Sequence, residues 1–163
     1  MSDRTGPKGR KRNKFLVVVD DTPECRVALR FAARRAQKTG GGLTLLRVIE
    51  PPDFEHWVAV KNLMHEEARE EAEQLMQALA ADAHEETGVM PEFVIREGKK
   101  REQLLALIEE DSDIRILVLG AASGSEGPGP LVSELVGQRS GSLAIPVTVV
   151  PGSLTDEMID ELS

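Results

Sequence analysis

Short apolar runs alternate with segments of helical periodicity along the whole chain. The run at residues 15–19 is rich in β-branched residues, which is typical of a strand buried on both faces. Similar runs occupy residues 43–49, 92–96, 114–119 and 146–150. Between them, apolar residues recur at helical spacing over residues 25–36, 62–86, 103–109 and 131–136. This alternation predicts five strands separated by four helices, followed by a polar acidic end that could hold one more short helix.

Helix-start and helix-stop signals support this division of the chain. Thr22 followed by Pro23 predicts a helix start, because threonine caps a first turn and proline fits its first position. The glycines at 40–42 end that helix, and Gly88 ends the next one. Strands that alternate with helices indicate an α/β fold, in which helices cover both faces of a parallel sheet.

The fold class also predicts where a ligand would bind. Doubly wound sheets of the Rossmann-like class bind ligands beyond the carboxyl ends of their strands, at the point where the strand order reverses. The pattern alone leaves the strand order open. In the order 3-2-1-4-5, the crevice lies between the first and fourth strands, with Asp20 and Asp21 on one side and the loop at 120–130 on the other.

Composition and charge indicate which kinds of binding partner are not expected. The chain has 163 residues, the length of one domain, and a net charge of −8. Residues 1–14 hold six lysines and arginines against one aspartate, so we expect residues 1–13 to form a disordered basic tail on an acidic body. An acidic body with 3% aromatic residues does not favour a nucleic-acid partner. The apolar runs are too short to span a membrane, so no membrane partner is expected.

The residues that usually carry catalysis or metal binding form no recognisable constellation. Cys25 is the single cysteine, which excludes an intramolecular disulfide and favours a cytoplasmic location. The three histidines lack metal-ligand spacing, and no Ser-His-Asp set can be assembled. The pair at 20–21 is similar to the magnesium-binding acidic pair of receiver domains, but the third strand ends in Arg96-Glu97-Gly98 without the required aspartate. We therefore expect that the protein has no metal site and is not an enzyme.

Two segments are typical of one family. Residues 17–29 read VVVDDTPECRVAL, and the end of the domain reads LVLG at 117–120 and IPVTVV at 145–150. On these segments the chain resembles the universal stress protein family over roughly residues 14–151. The resemblance implies a five-stranded doubly wound parallel sheet of order 3-2-1-4-5, of the kind also found in adenine-nucleotide alpha hydrolases. Residues 152–163 would then form a separate acidic tail.

The resemblance implies a nucleotide site whose motif is incomplete here. Nucleotide-binding members carry glycine, two residues, glycine, nine residues, glycine, then serine or threonine. Counted from Gly120, the motif meets Ser123 and then Ser133-Glu134, whereas counted from Gly124 it ends in Gln138. Small residues let backbone amides approach a phosphate, but Glu126 and Glu134 would repel one. The candidate nucleotide contacts are Asp20, Asp21, Val48, Gly120, Ser123, Gly124 and Ser133.

Two functional hypotheses follow from the resemblance. The first is a regulatory or protective module in the stress response whose nucleotide site is degenerate and whose protein client is unknown. The second is an ATP- or AMP-binding member that acts as a nucleotide-dependent signalling switch. No firm cofactor is implied, although ATP or AMP could bind.

The final strand is expected to form a homodimer. It lies at a sheet edge in the implied topology, and no charged residue interrupts residues 143–152. Pro146 and Pro151 limit pairing to a short ladder. The predicted interface is Val147, Thr148, Val149 and Val150, and family members commonly pair through this strand. The alternative is a monomer whose edge is covered by the apolar residues of the tail, namely Leu154, Met158, Ile159 and Leu162.

Overall fold

A five-stranded sheet organises the chain. The computed structural model describes residues 13–51, 58–137, 141 and 143–163, with side chains in the second helix described from residue 63. The strands are β1 (Lys14–Val18), β2 (Gly42–Ile49), β3 (Glu92–Glu97), β4 (Ile114–Ala121) and β5 (Val147–Pro151). Every neighbouring pair is parallel, in the order β3-β2-β1-β4-β5. The expected sheet and strand order are confirmed, whereas residues 1–12 of the basic tail expected at 1–13 lie outside the described residues.

Helices cover both faces of this sheet. They are α1 (Pro23–Thr39), α2 (Val58–Thr87), α3 (Lys100–Glu110), α4 (Pro130–Val136) and α5 (Asp156–Leu162). Consecutive residues of β1 point to opposite faces, because side chains alternate along a strand. Phe15 and Val17 pack with α1 and α2, and Leu16 packs with α3 and α4. Two apolar cores therefore sandwich the central strand, as its continuous apolar run predicts.

The boundaries of two helices differ from the sequence-based prediction. α2 begins at Val58 instead of about residue 62, and α3 begins at Lys100 instead of Gln103. The first turn of α3 consists of Lys100, Arg101 and Glu102, which carry no apolar signal. Hydrophobic periodicity could not detect that turn. This turn matters for the candidate site, because it brings cationic side chains to the carboxyl edge of the sheet.

The acidic end of the chain contains the short helix α5, which packs on the domain. Thr155 caps α5 by accepting a hydrogen bond from the amide of Met158 at 3.3 Å. Ile159 is fully buried, and Asp160 accepts hydrogen bonds from Arg30 and Arg34 of α1. The burial of Ile159 and charge pairing with α1, which the apolar pattern could not show, together hold this segment in place.

Candidate ligand crevice

The crevice expected beyond the carboxyl ends of β1 and β4 is present. It is a cavity of about 170 Å³, which is below the roughly 300–1,000 Å³ usual for small-molecule pockets. Three elements form its walls: the end of β1 with the start of α1, the end of β4, and the start of α4. Its lining residues are Val18, Asp20, Thr22, Glu24, Cys25, Lys100, Leu119, Gly120, Pro128, Gly129, Pro130, Leu131 and Val132.

The carboxylate of Asp20 is engaged by the backbone turn that starts α1. Its Oδ1 accepts a hydrogen bond from the Thr22 amide at 3.0 Å and another from the Thr22 hydroxyl. The Thr22 Oγ1 in turn accepts from the Cys25 amide at 3.3 Å, which caps the helix. Asp20 therefore stabilises the helix start while it lines the crevice, and part of its hydrogen-bonding capacity is already used.

The Cys25 thiol forms a buried part of the same wall. Its Sγ accepts a hydrogen bond from the Asp20 amide at 3.4 Å, and the residue is 4% exposed. Burial raises the pKa of this thiol from its ordinary 9.0 to about 11, because the thiolate would lose its hydration. A thiol in this state is a poor nucleophile near neutral pH. Cys25 acts here as a packing residue.

Gly120 brings the end of β4 into direct contact with α1. A Cβ atom at this position would lie 2.2 Å from the carbonyl oxygen of Glu24 and 3.2 Å from the amide nitrogen of Cys25. No side chain fits at such a distance, so the strand end and the helix start approach each other through backbone atoms alone. This close contact fixes one wall of the crevice.

The structure brings together two of the seven candidate nucleotide contacts. Asp20 and Gly120 line the crevice. Asp21 is exposed outside it, and Val48 is buried and lines an adjoining cavity that also contains Lys100. Ser123, Gly124 and Ser133 are exposed and do not line the crevice, which the loop reaches instead through residues 128–130. Three of the positions that the incomplete glycine motif predicts as phosphate contacts therefore lie outside the crevice.

Cationic residues at the start of α3 were missed by the sequence analysis. Lys100 lines the crevice and two adjoining cavities, of about 550 Å³ and 310 Å³. Arg101 and Glu134 form an ion pair between α3 and α4, with 3.3 Å between Nε and Oε1. The signal was present in the sequence as Gly98-Lys99-Lys100-Arg101, directly after a strand whose carboxyl end faces the ligand side.

Comparison with known proteins places this geometry in a family. The family model described as "Universal stress protein family" matches residues 11–151. The chain belongs to the universal stress protein family. This universal stress protein is also 32% identical, over 147 residues, to a curated universal stress protein from Mycolicibacterium smegmatis. That alignment covers 85% of the chain and 48% of the relative, so the chain spans about half the length of the curated protein that it matches.

Solved structures agree with the fold of this universal stress protein. The universal stress protein UspA from Lactobacillus plantarum matches with a TM-score of 0.73 and 19% identity, over 85% of this chain and 98% of that one. A universal stress protein from Archaeoglobus fulgidus, solved in complex with dAMP, matches with a TM-score of 0.58 and 17% identity. That match covers 85% of this chain and 96% of the other. At these identities the two structures support the fold.

The described part of this universal stress protein contains neither a metal-binding cluster nor a membrane-spanning helix. Within residues 13–51, 58–137, 141 and 143–163, no group of three His, Cys, Asp or Glu side chains is placed to hold a metal ion. None of the helices described is long and apolar enough to cross a membrane.

Proposed function

We propose that this protein is a regulatory or protective module of the universal stress type, which acts through a protein client rather than through catalysis or tight nucleotide binding. One observation carries the proposal: the crevice in the ligand position of the fold is small, and five of the seven candidate nucleotide contacts lie outside it. A triphosphate would need several backbone amides and cations around it. Ser123, Gly124 and Ser133, where the glycine motif would place such groups, do not line the crevice.

The electrostatics of the crevice support weak nucleotide binding. Asp20 and Glu24 line it together with a single cation, Lys100. The adjoining cavity contains Arg101, but this guanidinium faces Glu134. Carboxylates beside a phosphate raise the free energy of the bound state, because like charges repel. The residues present therefore do not fit a tightly held ATP.

Calorimetry with magnesium-ATP tests this proposal. We expect a dissociation constant on the order of 0.1–1 mM for the wild-type protein, which corresponds to about 4–5.5 kcal/mol of binding free energy. Mass spectrometry of the native purified protein should accordingly find no stoichiometric nucleotide. A low-micromolar dissociation constant, or a nucleotide that co-purifies at one per chain, would contradict the proposal.

A nucleotide-dependent switch is the second candidate function. Asp20 and Gly120 do meet in the crevice, and the related Archaeoglobus fulgidus protein was solved with dAMP. For a switch, AMP or ATP at cellular concentrations should change the hydrogen-exchange protection of residues 122–130. Unchanged protection at millimolar nucleotide would favour the first function.

We place the protein in the cytoplasm, because its one cysteine is buried as a free thiol.

A further inference from the structure

We propose that Glu134 acts as an internal anion: it pairs with the arginine that a ligand phosphate would use and so closes a phosphate site between α3 and α4. The proposal rests on the proposed function, since it names the residue that keeps nucleotide binding weak. The ligands of this site would be phosphate-bearing molecules, whose phosphates would contact residues of α3. The glycine loop after β4 would contribute little to that site.

The geometry begins with a cavity of about 550 Å³ between the starts of α3 and α4. Its lining residues are Glu50, Lys99, Lys100, Arg101, Glu102, Pro130, Leu131 and Glu134. Lys100, Pro130 and Leu131 line both this cavity and the crevice at β1 and β4. A ligand that enters the crevice can therefore extend its phosphates toward α3.

Arg101 is imperfectly satisfied by its present partner. Its Nε lies 3.3 Å from the Glu134 Oε1, yet this buried nitrogen makes no aligned hydrogen bond among the described residues. A buried donor without a hydrogen bond costs free energy. A phosphate offers several oxygens, and arginine binds such groups through two parallel hydrogen bonds. If the Glu134 carboxylate were removed, a phosphate could therefore form better hydrogen bonds with Arg101 than Glu134 does.

The two lysines beside Arg101 are available to a ligand. Among the described residues, neither Lys99 nor Lys100 has a carboxylate within ion-pair distance of its ammonium group. Glu50 also lines the cavity, but its Oε1 accepts a hydrogen bond from the Lys100 backbone amide at 3.3 Å. Without Glu134, Arg101 would lose its ion-pair partner and would line the cavity with Lys99 and Lys100 as three unpaired cations among the described residues. The balance would then favour an anion.

The test compares four proteins by calorimetry with magnesium-ATP and with adenosine. They are the wild type, Glu134→Gln, the double variant Glu134→Gln with Arg101→Ala, and the control Glu102→Gln. Glu102 lines the same cavity, but among the described residues it has no cation within ion-pair distance. We expect Glu134→Gln to bind magnesium-ATP at least tenfold more tightly than the wild type. The double variant should lose that gain, and adenosine binding should not change, because adenosine carries no phosphate.

Each departure from this pattern has a distinct meaning. A Glu134→Gln affinity within twofold of the wild type, with both weak, would overturn the inference and leave the proposed function standing. An equal gain in Glu102→Gln or in the double variant would overturn it too, since Glu134 and Arg101 would then play no specific part. Low-micromolar binding by the wild type would overturn both proposals. Circular dichroism and thermal melting establish that each variant is folded. Glu134→Ala repeats the test with a side chain that, unlike glutamine, cannot form a hydrogen bond with Arg101.

Discussion

At the scale of single residues, the start of α1 shows how one turn serves folding and the crevice together. Asp20 accepts hydrogen bonds from Thr22, and Thr22 caps the helix by accepting from the Cys25 amide. The Cys25 thiol is buried behind this turn and accepts from the Asp20 amide. These three side chains form a closed local network. The acidic residue that the sequence offers as a ligand contact is therefore also a structural residue.

Cys25 allows a prediction about alkaline pH. Its pKa is raised by burial to about 11 in the folded protein, against 9.0 for an ordinary thiol. A raised folded pKa contributes stability that is fully present below pH 9 and is lost as pH rises toward 11, because the unfolded state ionises first. We expect the wild type to lose roughly 2–3 kcal/mol of unfolding free energy across this window through Cys25 alone.

Urea unfolding at pH 7.5 and pH 10 measures about half of this loss, roughly 1.4 kcal/mol, with Cys25→Ala as the control. The control should be less stable at both pH values, yet its stability should fall less between them. If the wild type and the control lose the same free energy, Cys25 is not the titrating group. Iodoacetamide should label the thiol in 6 M urea and leave it unmodified in the native protein.

At the scale of elements, one shared carboxylate joins α5 to α1, beside the buried Ile159. Arg30 donates to both oxygens of Asp160, at 3.0 and 2.8 Å, and Arg34 donates to Oδ1 at 3.0 Å. Lys38 adds a hydrogen bond to the Asp160 backbone carbonyl at 3.0 Å. These three cations are spaced four residues apart, so they form one stripe along α1. α5 lies beyond the span of the family match, and the stripe supplies its anchor.

Replacing Asp160 by asparagine should loosen this helix. The hydrogen bond from Arg30, and then that from Arg34, lowers the pKa of the Asp160 carboxyl. The side chain is 38% exposed, so solvent screening limits the loss at pH 7 to about 1–2 kcal/mol of unfolding free energy. A lowered folded pKa gives stability that is present above the ordinary value of 3.8 and is lost as pH falls through the folded value.

Thermal melting at pH 7 and at pH 3 distinguishes this ion pair from a packing effect. The difference between wild type and Asp160→Asn should be clear at pH 7 and should shrink at pH 3. Asp156→Asn is the matched control, because its carboxylate is 76% exposed and lies 3.8 Å from Arg30. An equal loss in both variants, or a loss that does not depend on pH, would contradict the role assigned to Asp160.

At the scale of the whole molecule, the two edges of the sheet differ in character. β3 forms one edge and carries Glu92, Arg96 and Glu97, whereas β5 forms the other edge without a charged residue. Charged residues at an edge oppose pairing with another chain. Within the described residues β5 pairs only with β4, and the ion pairs and hydrogen bonds of α5 with other elements go to α1. The edge at β5 is thus suited to pair with a second copy.

We predict a homodimer through β5. The chain has a mass of 17.8 kDa, so light scattering at tens of micromolar should give about twice that value. Thr148→Lys together with Val149→Asp should give the monomer mass, because charged side chains on an edge strand oppose pairing with another strand and would lose hydration on pairing. Phe93→Lys on the opposite edge should leave the dimer intact. A monomeric wild type at this concentration would contradict the prediction.

Sequence reasoning predicted the fold more fully than the site. Five apolar runs and the signals at Thr22 and Gly40 were sufficient for the sheet and its helices, because burial controls both. The crevice depends on which side chains meet across elements far apart in sequence, such as Arg101 and Glu134. A motif count placed Ser133 at a phosphate, but the structure places it on the exposed side of α4. Hydrophobic periodicity also could not reveal the role of Asp160, since ion pairs produce no hydrophobic pattern.

The backbone contact at Gly120 has a consequence for how this chain can vary. A methyl group there would overlap the Glu24 carbonyl, and one on Gly152 would come within 2.8 Å of the Ala121 carbonyl oxygen and 2.9 Å of the Glu24 Cβ. A substitution at Gly120 therefore requires α1 to move, and one at Gly152 requires both α1 and the end of β4 to move, whereas Gly124 has open space around it and can diverge freely. In a library of point mutants, Gly120 and Gly152 should be among the least replaceable residues whether or not a ligand binds. Intolerance at Gly120 alone would therefore be poor evidence of nucleotide recognition, and intolerance at Gly124 would be far better evidence.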